Sequence, residues 1–416
     1  MLRRWRTRIL LFLAVLGPGF ITANVDNDSG GILTYSQAGA QFGYSLLWTM
    51  LPITIALIVV QEMCARMGVV TGKGLSDLIR EEFGLRLTFV LMLLLVVVNY
   101  TNVVTEFIGI AGSLHLFHVT KFISVPICGL LVWYLIVKGN YKSTEKIFLL
   151  ASVVYIAYIF AGVLSQPDWH DALLATVKLP ARSNWRNKEY IYTAIGIVGT
   201  TIAPWMQFYL QSSIVEKGIR VKDYAASRLD VIVGSFFTDI VAWFIVVACA
   251  ATLFFHGMGA IQVAADAAEA MRPLAGDYAF VLFAFGLFNA SLFAASILPL
   301  STSYTVCEGL GFESGVDKSF REAPFFYWLY TLLIVGGAAT VLVLPDAQLM
   351  NFAILSQVLN GVLLPVVIIL MLILINRKDL MGNHRNSRLW NAIAWATSII
   401  VVGMTFVMLW GMLPSH

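Results

Sequence analysis

The chain has 416 residues, of which 59% are hydrophobic and 12% are charged, whereas about 25% of the residues of an average soluble domain are charged. Apolar stretches of about 20 residues, the length that an α-helix needs to cross a bilayer, recur from end to end. This composition excludes a soluble globular protein and predicts an all-α polytopic membrane protein. The four cysteines are scattered without a CxxC pair, which argues against a disulfide scaffold and a metal–thiolate site.

The first predicted span is interrupted by a polar stretch that contains two carboxylates and paired glycines. A charged side chain at bilayer depth costs about 2.5–3.5 kcal/mol on insertion scales. Such a stretch persists only where broken backbone lines a polar cavity or is buried in protein. We therefore predict that Asp28 binds a cation, together with unwound carbonyls near Val25 and Thr200. Asp26, two residues away, is expected to face other polar groups or a vestibule.

The rest of the chain predicts ten further spans, with no soluble domain between them. Most of the 27 Lys and Arg residues then fall on the side of the N-terminus, so the positive-inside rule predicts a cytoplasmic N-terminus and an extracytoplasmic C-terminus. The eleven predicted spans cover residues 9–38, 45–66, 87–114, 119–137, 146–165, 190–214, 226–255, 277–304, 324–344, 350–376 and 389–412.

The sixth span has its own interruption, at residues 199–206 around Pro204. Proline removes a helical hydrogen bond and clashes with the preceding turn. Interrupted segments at corresponding places in two halves indicate an inverted-repeat transporter with its site at the midplane. We therefore expect a single transmembrane domain with one repeat at about 9–165, a second at about 190–376, and an additional helix at about 389–412.

Glu106, Asp230 and Asp239 are acidic residues within other predicted spans. Glu106 shares a helix face with Asn99 and Asn102, because these residues recur at intervals of three and four. Glu106 is therefore either a vestibule or proton-relay carboxylate, or part of a structural cluster of interhelical hydrogen bonds with the two asparagines. Asp230 lies near a span end and is expected to be a solvated or capping charge, whereas Asp239 lies deeper and is predicted to be a pathway residue.

The tenth span carries two amides, Gln357 and Asn360, one helical turn apart. They either bind the ion or its waters or link helices, and we predict that Gln357 is a ligand. Carboxylate, carbonyl and amide oxygens are hard donors that suit Mg²⁺, Ca²⁺ or Mn²⁺. Mg²⁺ tends to retain several waters, and the small residues Gly30, Gly31 and Ala203 are expected to leave room for them.

Several motifs together resemble the Nramp divalent-metal transporters. The first helix and the loop after it are similar to those of the family, as are the interrupted sixth helix and parts of the third and tenth spans. This resemblance implies the LeuT-type fold, with two inverted five-helix repeats, broken helices 1 and 6, and alternating access. The residues that carry it are 17–20, 28–31, 37–48, 105–109, 199–205, 209–213 and 356–365.

The sequence departs from the family pattern at the predicted site. The family's Asp-Pro-Gly-Asn is replaced by a motif that keeps Asp28 but has Gly31 in place of the asparagine. Its Met-Pro-His is replaced by a motif with Ala203 and Trp205 at the two ends, and Val103 occupies the acidic position one turn before Glu106. A soft ligand and two groups tied to proton coupling are therefore missing, so the chain looks like the Nramp-related magnesium transporter branch.

The resemblance carries specific roles over to this sequence. Val25 and Thr200 would offer carbonyls, Asp28 and Gln357 would offer side chains, and Gly31 and Ala203 would offer space. Four further residues are candidates to line the ion pathway or to support the ligands: Glu106, Asn360, Asp239 and Trp205.

We therefore expect a passive plasma-membrane transporter of Mg²⁺, and of Mn²⁺ as well, that works without proton coupling. The nearest alternative is a proton-coupled Mn²⁺/Fe²⁺ transporter. An organic-substrate carrier on the same fold and an intramembrane enzyme are further alternatives, but the sequence has no HExxH motif, nucleophile elbow or phosphate loop. The expected partners are the divalent ion and the lipid bilayer, with no resident cofactor, no nucleic acid and no required oligomer.

Overall fold

The computed structural model describes residues 17–182, 184–257, 261 and 264–411, and within these residues it contains helices and no β-strand. The predicted start of the first span, residues 9–16, lies outside the described residues. In chain order the α-helices are α1 (Pro18–Val25), α2 (Ser29–Phe42), α3 (Met50–Thr71), α4 (Leu75–Phe83), α5 (Leu85–His115), α6 (Lys121–Val137), α7 (Tyr141–Val154), α8 (Ile156–Leu164), α9 (Trp169–Val177), α10 (Lys188–Thr201), α11 (Pro204–Glu216), α12 (Tyr224–Cys249), α13 (Ala264–Leu310), α14 (Pro324–Val343), α15 (Asp346–Asn376), α16 (Lys378–Met381) and α17 (Arg388–Gly411).

These helices account for the eleven predicted spans. The first span consists of α1 and α2, the fifth of α7 and α8, and the sixth of α10 and α11, while the other spans are the single helices α3, α5, α6, α12, α13, α14, α15 and α17. By length and composition, eight continuous helical stretches of the described chain can cross a membrane, and Lys121–Val137 is a shorter apolar helix. The repeat boundaries remain a prediction.

Helix ends differ from the predicted span ends by several residues. The predicted second span begins at residue 45, but Gly43–Thr49 form a 3₁₀ helix, and α3 continues to Thr71 before Gly72 ends it with φ 66°. The predicted eighth span is part of α13, which bends at Gly276 (φ 85°). The differences arise because hydropathy reports bilayer thickness, whereas a helix continues until a residue that breaks or caps it.

The packing places the first break at the centre of the protein. Helix α12 packs against α1, α2 and α3, and α5 packs along α13. Large apolar side chains face outward on the peripheral helices, for example Leu130 (68% exposed), Leu332 (62%) and Ile399 (67%). Such extensive exposed apolar surface is unusual for a soluble monomer and suits contact with lipid. The polar residues of the break are thereby held inside an apolar shell.

Candidate metal site

The first break separates α1 from α2, and residues 26–28 between them are not helical. Asp28 is the N-cap of α2, and its Oδ1 accepts a hydrogen bond of 2.7 Å from the amide of Gly31. The positive end of a helix dipole stabilises a carboxylate at this position. Asp28 is partly exposed, whereas residues 17–27 are buried. The carboxylate is therefore fixed by the helix end and is still accessible to an ion.

The break also frees the carbonyl of Val25. In a continuous helix the amide of Ser29 would donate to this carbonyl, four residues earlier. That amide instead donates to Glu106 Oε2 at 3.1 Å. The amides of Asp26 and Asn27 bond to the carbonyls of Ala23 and Asn24, so the last carbonyl of α1 is left for another ligand.

The second break separates α10 from α11 and frees a carbonyl in a different way. Helix α10 ends at Thr201, and α11 starts with Pro204 at its first turn. The helical partner of the Thr200 carbonyl would be the amide of residue 204, but proline has no N–H. Ala203 adopts an extended conformation between the two helices and is buried. The negative end of the α10 dipole therefore lies at this break.

The two breaks and α15 meet at the paired glycines. A Cβ atom built on Gly30 would clash with Nε2 of Gln357 and would lie 3.4 Å from Oδ1 of Asp28. A Cβ built on Gly31 would lie 3.3 Å from Oγ1 of Thr200 and 2.6 Å from the carbonyl oxygen of Asp26. The structure thus brings Asp28, Gln357, Gly31 and Thr200 together. It also shows that Gly31 serves close packing, whereas the sequence suggested open space.

Other polar residues of α5 form interhelical hydrogen bonds. Asn102 and Asn360 exchange two amide hydrogen bonds, of 3.2 and 2.9 Å, and Asn99 donates to Thr302 at 2.8 Å. These bonds give Asn360 a structural role beside the site. Glu106, one turn further along α5, binds the N-terminus of α2 and therefore touches the break itself.

Trp205 is 1% exposed, and its carbonyl accepts a hydrogen bond of 3.1 Å from Ser301. Its ring packs near that of Tyr209, with 6.4 Å between the centroids. The structure thus places Trp205 in the core directly after the second break. A role for this residue on the ion pathway remains a prediction.

Asp230 has a larger role than the solvated or capping charge expected from its position near a span end. It is 2% exposed, and its carboxylate accepts hydrogen bonds from the amides of Gly17 (2.8 Å), Gly19 (2.7 Å) and Phe20 (3.1 Å). Asp230 therefore caps α1 across more than 200 residues of sequence. The start of α1 could have indicated this role of Asp230, because no local side chain caps that helix.

Asp26 and Asp239 lie beside the break but are not part of the cluster around Gln357. Asp26 is 2% exposed and Asp239 is 5% exposed, and they are close enough to interact electrostatically. The neighbouring residues Asn27 and Thr238 are joined by hydrogen bonds of 2.7 and 3.0 Å. These bonds hold the break against α12.

A cavity of about 740 Å³ opens at the ends of α2 and α10 that lie away from α1. Its lining includes Gln37, Gln41 and Thr193, and Thr34 continues the partly exposed face of α2 toward Asp28. The opposite side is tightly packed, with an ion pair of 2.6 Å between Lys217 and Glu145. This cavity and the ion pair lie at opposite ends of the segment that contains the first break.

An all-helical protein with an apolar exterior, two broken helices and a carboxylate where the breaks meet has the architecture of a membrane transport protein. The chain belongs to the Nramp family: the family described as natural resistance-associated macrophage protein-like matches residues 19–411. It is a metal transporter of this family and not an enzyme.

The chain is similar to several named relatives over most of its length. It is 27% identical to the divalent metal cation transporter MntH of Nostoc sp., over 96% of this chain and 92% of the relative. It is also 27% identical to MntH of Yersinia enterocolitica, over 97% of this chain and 96% of the relative. Among solved structures, the Eremococcus coleocola manganese transporter in complex with an aromatic bis-isothiourea substituted compound has a TM-score of 0.77 at 23% identity, over 99% of this chain and 90% of that chain.

A second solved structure extends the similarity beyond the family. Mhp1, a nucleobase-cation-symport-1 family transporter, has a TM-score of 0.60 at 14% identity, over 95% of this chain and 92% of that chain. At these identities the solved structures show the fold alone. The predicted LeuT-type architecture with two inverted five-helix repeats and broken helices 1 and 6 is confirmed.

Proposed function

We propose that the protein transports Mg²⁺, and Mn²⁺ as well, by alternating access and without proton coupling. The observation that supports this proposal is the donor set at the two breaks, which consists of oxygen atoms. Oδ1 of Asp28 and the side-chain amide of Gln357 both lie within 3.4 Å of the position that a Cβ atom on Gly30 would take, and the carbonyls of Val25 and Thr200 are the ones freed by the breaks. Such hard donors suit Mg²⁺ and Mn²⁺.

The position directly before Pro204 contributes no sulfur to this donor set. Ala203 stands at the position where the family pattern has a methionine, and its methyl group cannot coordinate a metal. A soft thioether would favour later transition metals. Without a thioether, the site does not favour later transition metals over Mg²⁺, which dehydrates reluctantly and keeps several waters.

The alternative is a proton-coupled Mn²⁺/Fe²⁺ transporter, and the relatives' names support it more than they support Mg²⁺ transport. Two relatives are called divalent metal cation transporters, and the similar solved structure is called a manganese transporter. Against coupling stand Trp205 and Val103, which replace the histidine and the acidic residue of the family pattern.

We infer the transport cycle from the position of the cavity at the ends of α2 and α10. The open cavity loads the site, after which α1 and the packed side separate to release the ion. We place the protein in the plasma membrane with a cytoplasmic N-terminus and an extracytoplasmic C-terminus. It needs no resident cofactor and no particular oligomeric state.

Uptake into proteoliposomes distinguishes uncoupled Mg²⁺ and Mn²⁺ transport from the proton-coupled alternative. Mg²⁺ and Mn²⁺ entry would be recorded together with luminal pH, for wild type, Asp28→Asn and the control Asp379→Asn, whose side chain is 62% exposed on α16. We expect uptake of both ions by wild type and the control, no uptake by Asp28→Asn, and an unchanged luminal pH. Mn²⁺ entry with luminal acidification and no Mg²⁺ entry would establish the alternative instead.

A further inference from the structure

The carboxylates of Asp26 and Asp239 are buried, and three of their four oxygens have no hydrogen-bond partner among the described residues. Both oxygens of Asp26 and Oδ2 of Asp239 are shielded from solvent and make no hydrogen bond to any described residue. Neither residue takes part in an ion pair among the described residues. A buried ionised carboxylate is retained at a high energetic cost unless a cation or hydrogen bonds compensate it.

The surroundings of the pair increase this need for a cation. The charged groups that act on Asp26 are Asp28 and Asp239, and both are negative. The pair faces α2 and α3 as well as the break, with Tyr35 and Thr54 as its polar neighbours on these two helices. Neither a phenol nor an alcohol can neutralise a carboxylate.

The neighbours do, however, offer further oxygen atoms. The hydroxyl of Tyr35 bonds to Thr201 Oγ1 at 2.8 Å, which ties this region to the second break. Asn27 uses its amide nitrogen to bind Thr238, and its Oδ1 is buried without a partner. Carboxylate, amide and hydroxyl oxygens are the ligands of hard divalent cations.

We propose that Asp26 and Asp239 form a second divalent-cation site, separate from the one that contains Asp28 and Gln357. It lies between the first break and α12, on the side of the break toward Tyr35. The three unpartnered carboxylate oxygens supply its anionic ligands, and two carboxylates balance the charge of one divalent ion. The proposal does not depend on which ion is transported or on proton coupling.

The two sites share the break but differ in the helix that completes them. The first site combines Asp28 with Gln357 of α15, whereas the second combines Asp26 with Asp239 of α12, next to the hydrogen bonds between Asn27 and Thr238. Asp26 and Asp28 are close enough to interact electrostatically, so an ion at one site disfavours an ion at the other. We therefore expect two sites of unequal affinity for the same metal.

Crystals of the full-length protein soaked in Mn²⁺ test the proposal through anomalous scattering. We expect two anomalous peaks in wild type, one beside Asp28 and one between Asp26 and Asp239. Asp239→Asn should lose the second peak and keep the first, whereas Asp28→Asn should lose the first and keep the second. A single peak beside Asp28 in wild type, or a second peak that persists in Asp239→Asn, would overturn the proposal.

Solution measurements provide an independent readout. Isothermal titration of purified protein with Mn²⁺ should give two sites for wild type and one for Asp239→Asn, with Asp379→Asn as a control that retains both. If Asp239→Asn does not fold, Asp26→Asn serves as a second variant on another helix. One Mn²⁺ per wild-type chain would contradict the proposal, even if transport of Mg²⁺ or Mn²⁺ is confirmed.

Discussion

Glu106 on α5 accepts a hydrogen bond of 3.1 Å from the backbone amide of Ser29, the first residue of α2. In an unbroken helix this amide would bond to the carbonyl of Val25. The side chain of Glu106 therefore replaces a helical hydrogen bond and keeps the break open. The same contact leaves the Val25 carbonyl free to bind an ion.

The first prediction concerns this contact. Glu106→Ala removes the acceptor, so we expect Mn²⁺ affinity to fall by about tenfold or more, in line with about 1.5–3 kcal/mol for a hydrogen bond to a charged group. Glu106→Gln keeps an acceptor oxygen and should lose much less. Isothermal titration of both variants measures the difference. Equal losses would show that the charge of Glu106, rather than its hydrogen bond, supports the site.

The second prediction concerns the close approach of backbone segments at Gly31. A methyl group there would lie 2.6 Å from the carbonyl oxygen of Asp26, so Gly31→Ala must displace the break. We expect metal binding to weaken markedly and thermal stability in detergent to fall. Gly199→Ala is the matched control, because a methyl group at Gly199 meets no atom within 4 Å. The control should bind metal normally, and similar losses in both variants would contradict this explanation.

The third prediction concerns the cap on α1. Asp230→Ala removes the acceptor for three amides, and loss of an N-cap typically costs about 0.5–2 kcal/mol. We expect α1 to detach more readily from α12 and the packed side of the protein to open. Asp223→Ala, an exposed acidic residue just before α12, is the control.

Cysteine labelling measures this opening. Ile21 is 2% exposed and lines a small cavity beside Tyr141 and Tyr209. An Ile21→Cys substitution, with the four buried native cysteines replaced by alanine, should react with maleimide faster in Asp230→Ala than in Asp223→Ala. Equal labelling rates would show that Asp230 does not control the opening of this side.

The fourth prediction concerns ion preference. Ala203→Met would place a thioether at the second break and should shift preference from Mg²⁺ toward Mn²⁺ and softer metals, because sulfur favours later transition metals. Competition of Mg²⁺ against Mn²⁺ uptake measures the shift. Ala203→Leu, which has similar bulk and no sulfur, controls for the change in volume. An unchanged competition ratio in Ala203→Met would exclude a selectivity role for this position.

The sequence by itself determined the membrane class, the eleven spans, the two breaks and the choice of Asp28. These features are local: hydropathy, proline, paired glycines and a charge within an apolar segment act within a few residues. Only the family resemblance, and not the residue pattern, pointed to Gly31 and Ala203 as the informative departures at the site.

Only the tertiary structure decided which distant residues complete the breaks. Asp230 caps α1, Glu106 binds the amide of Ser29, and Gln357 lies against Gly30, because helices far apart in sequence pack together at these points. The pairing of Asp26 with Asp239 has the same origin. A helix periodicity shows which residues share a face, but it does not show which helix that face meets. That choice is made by the packing of the whole bundle.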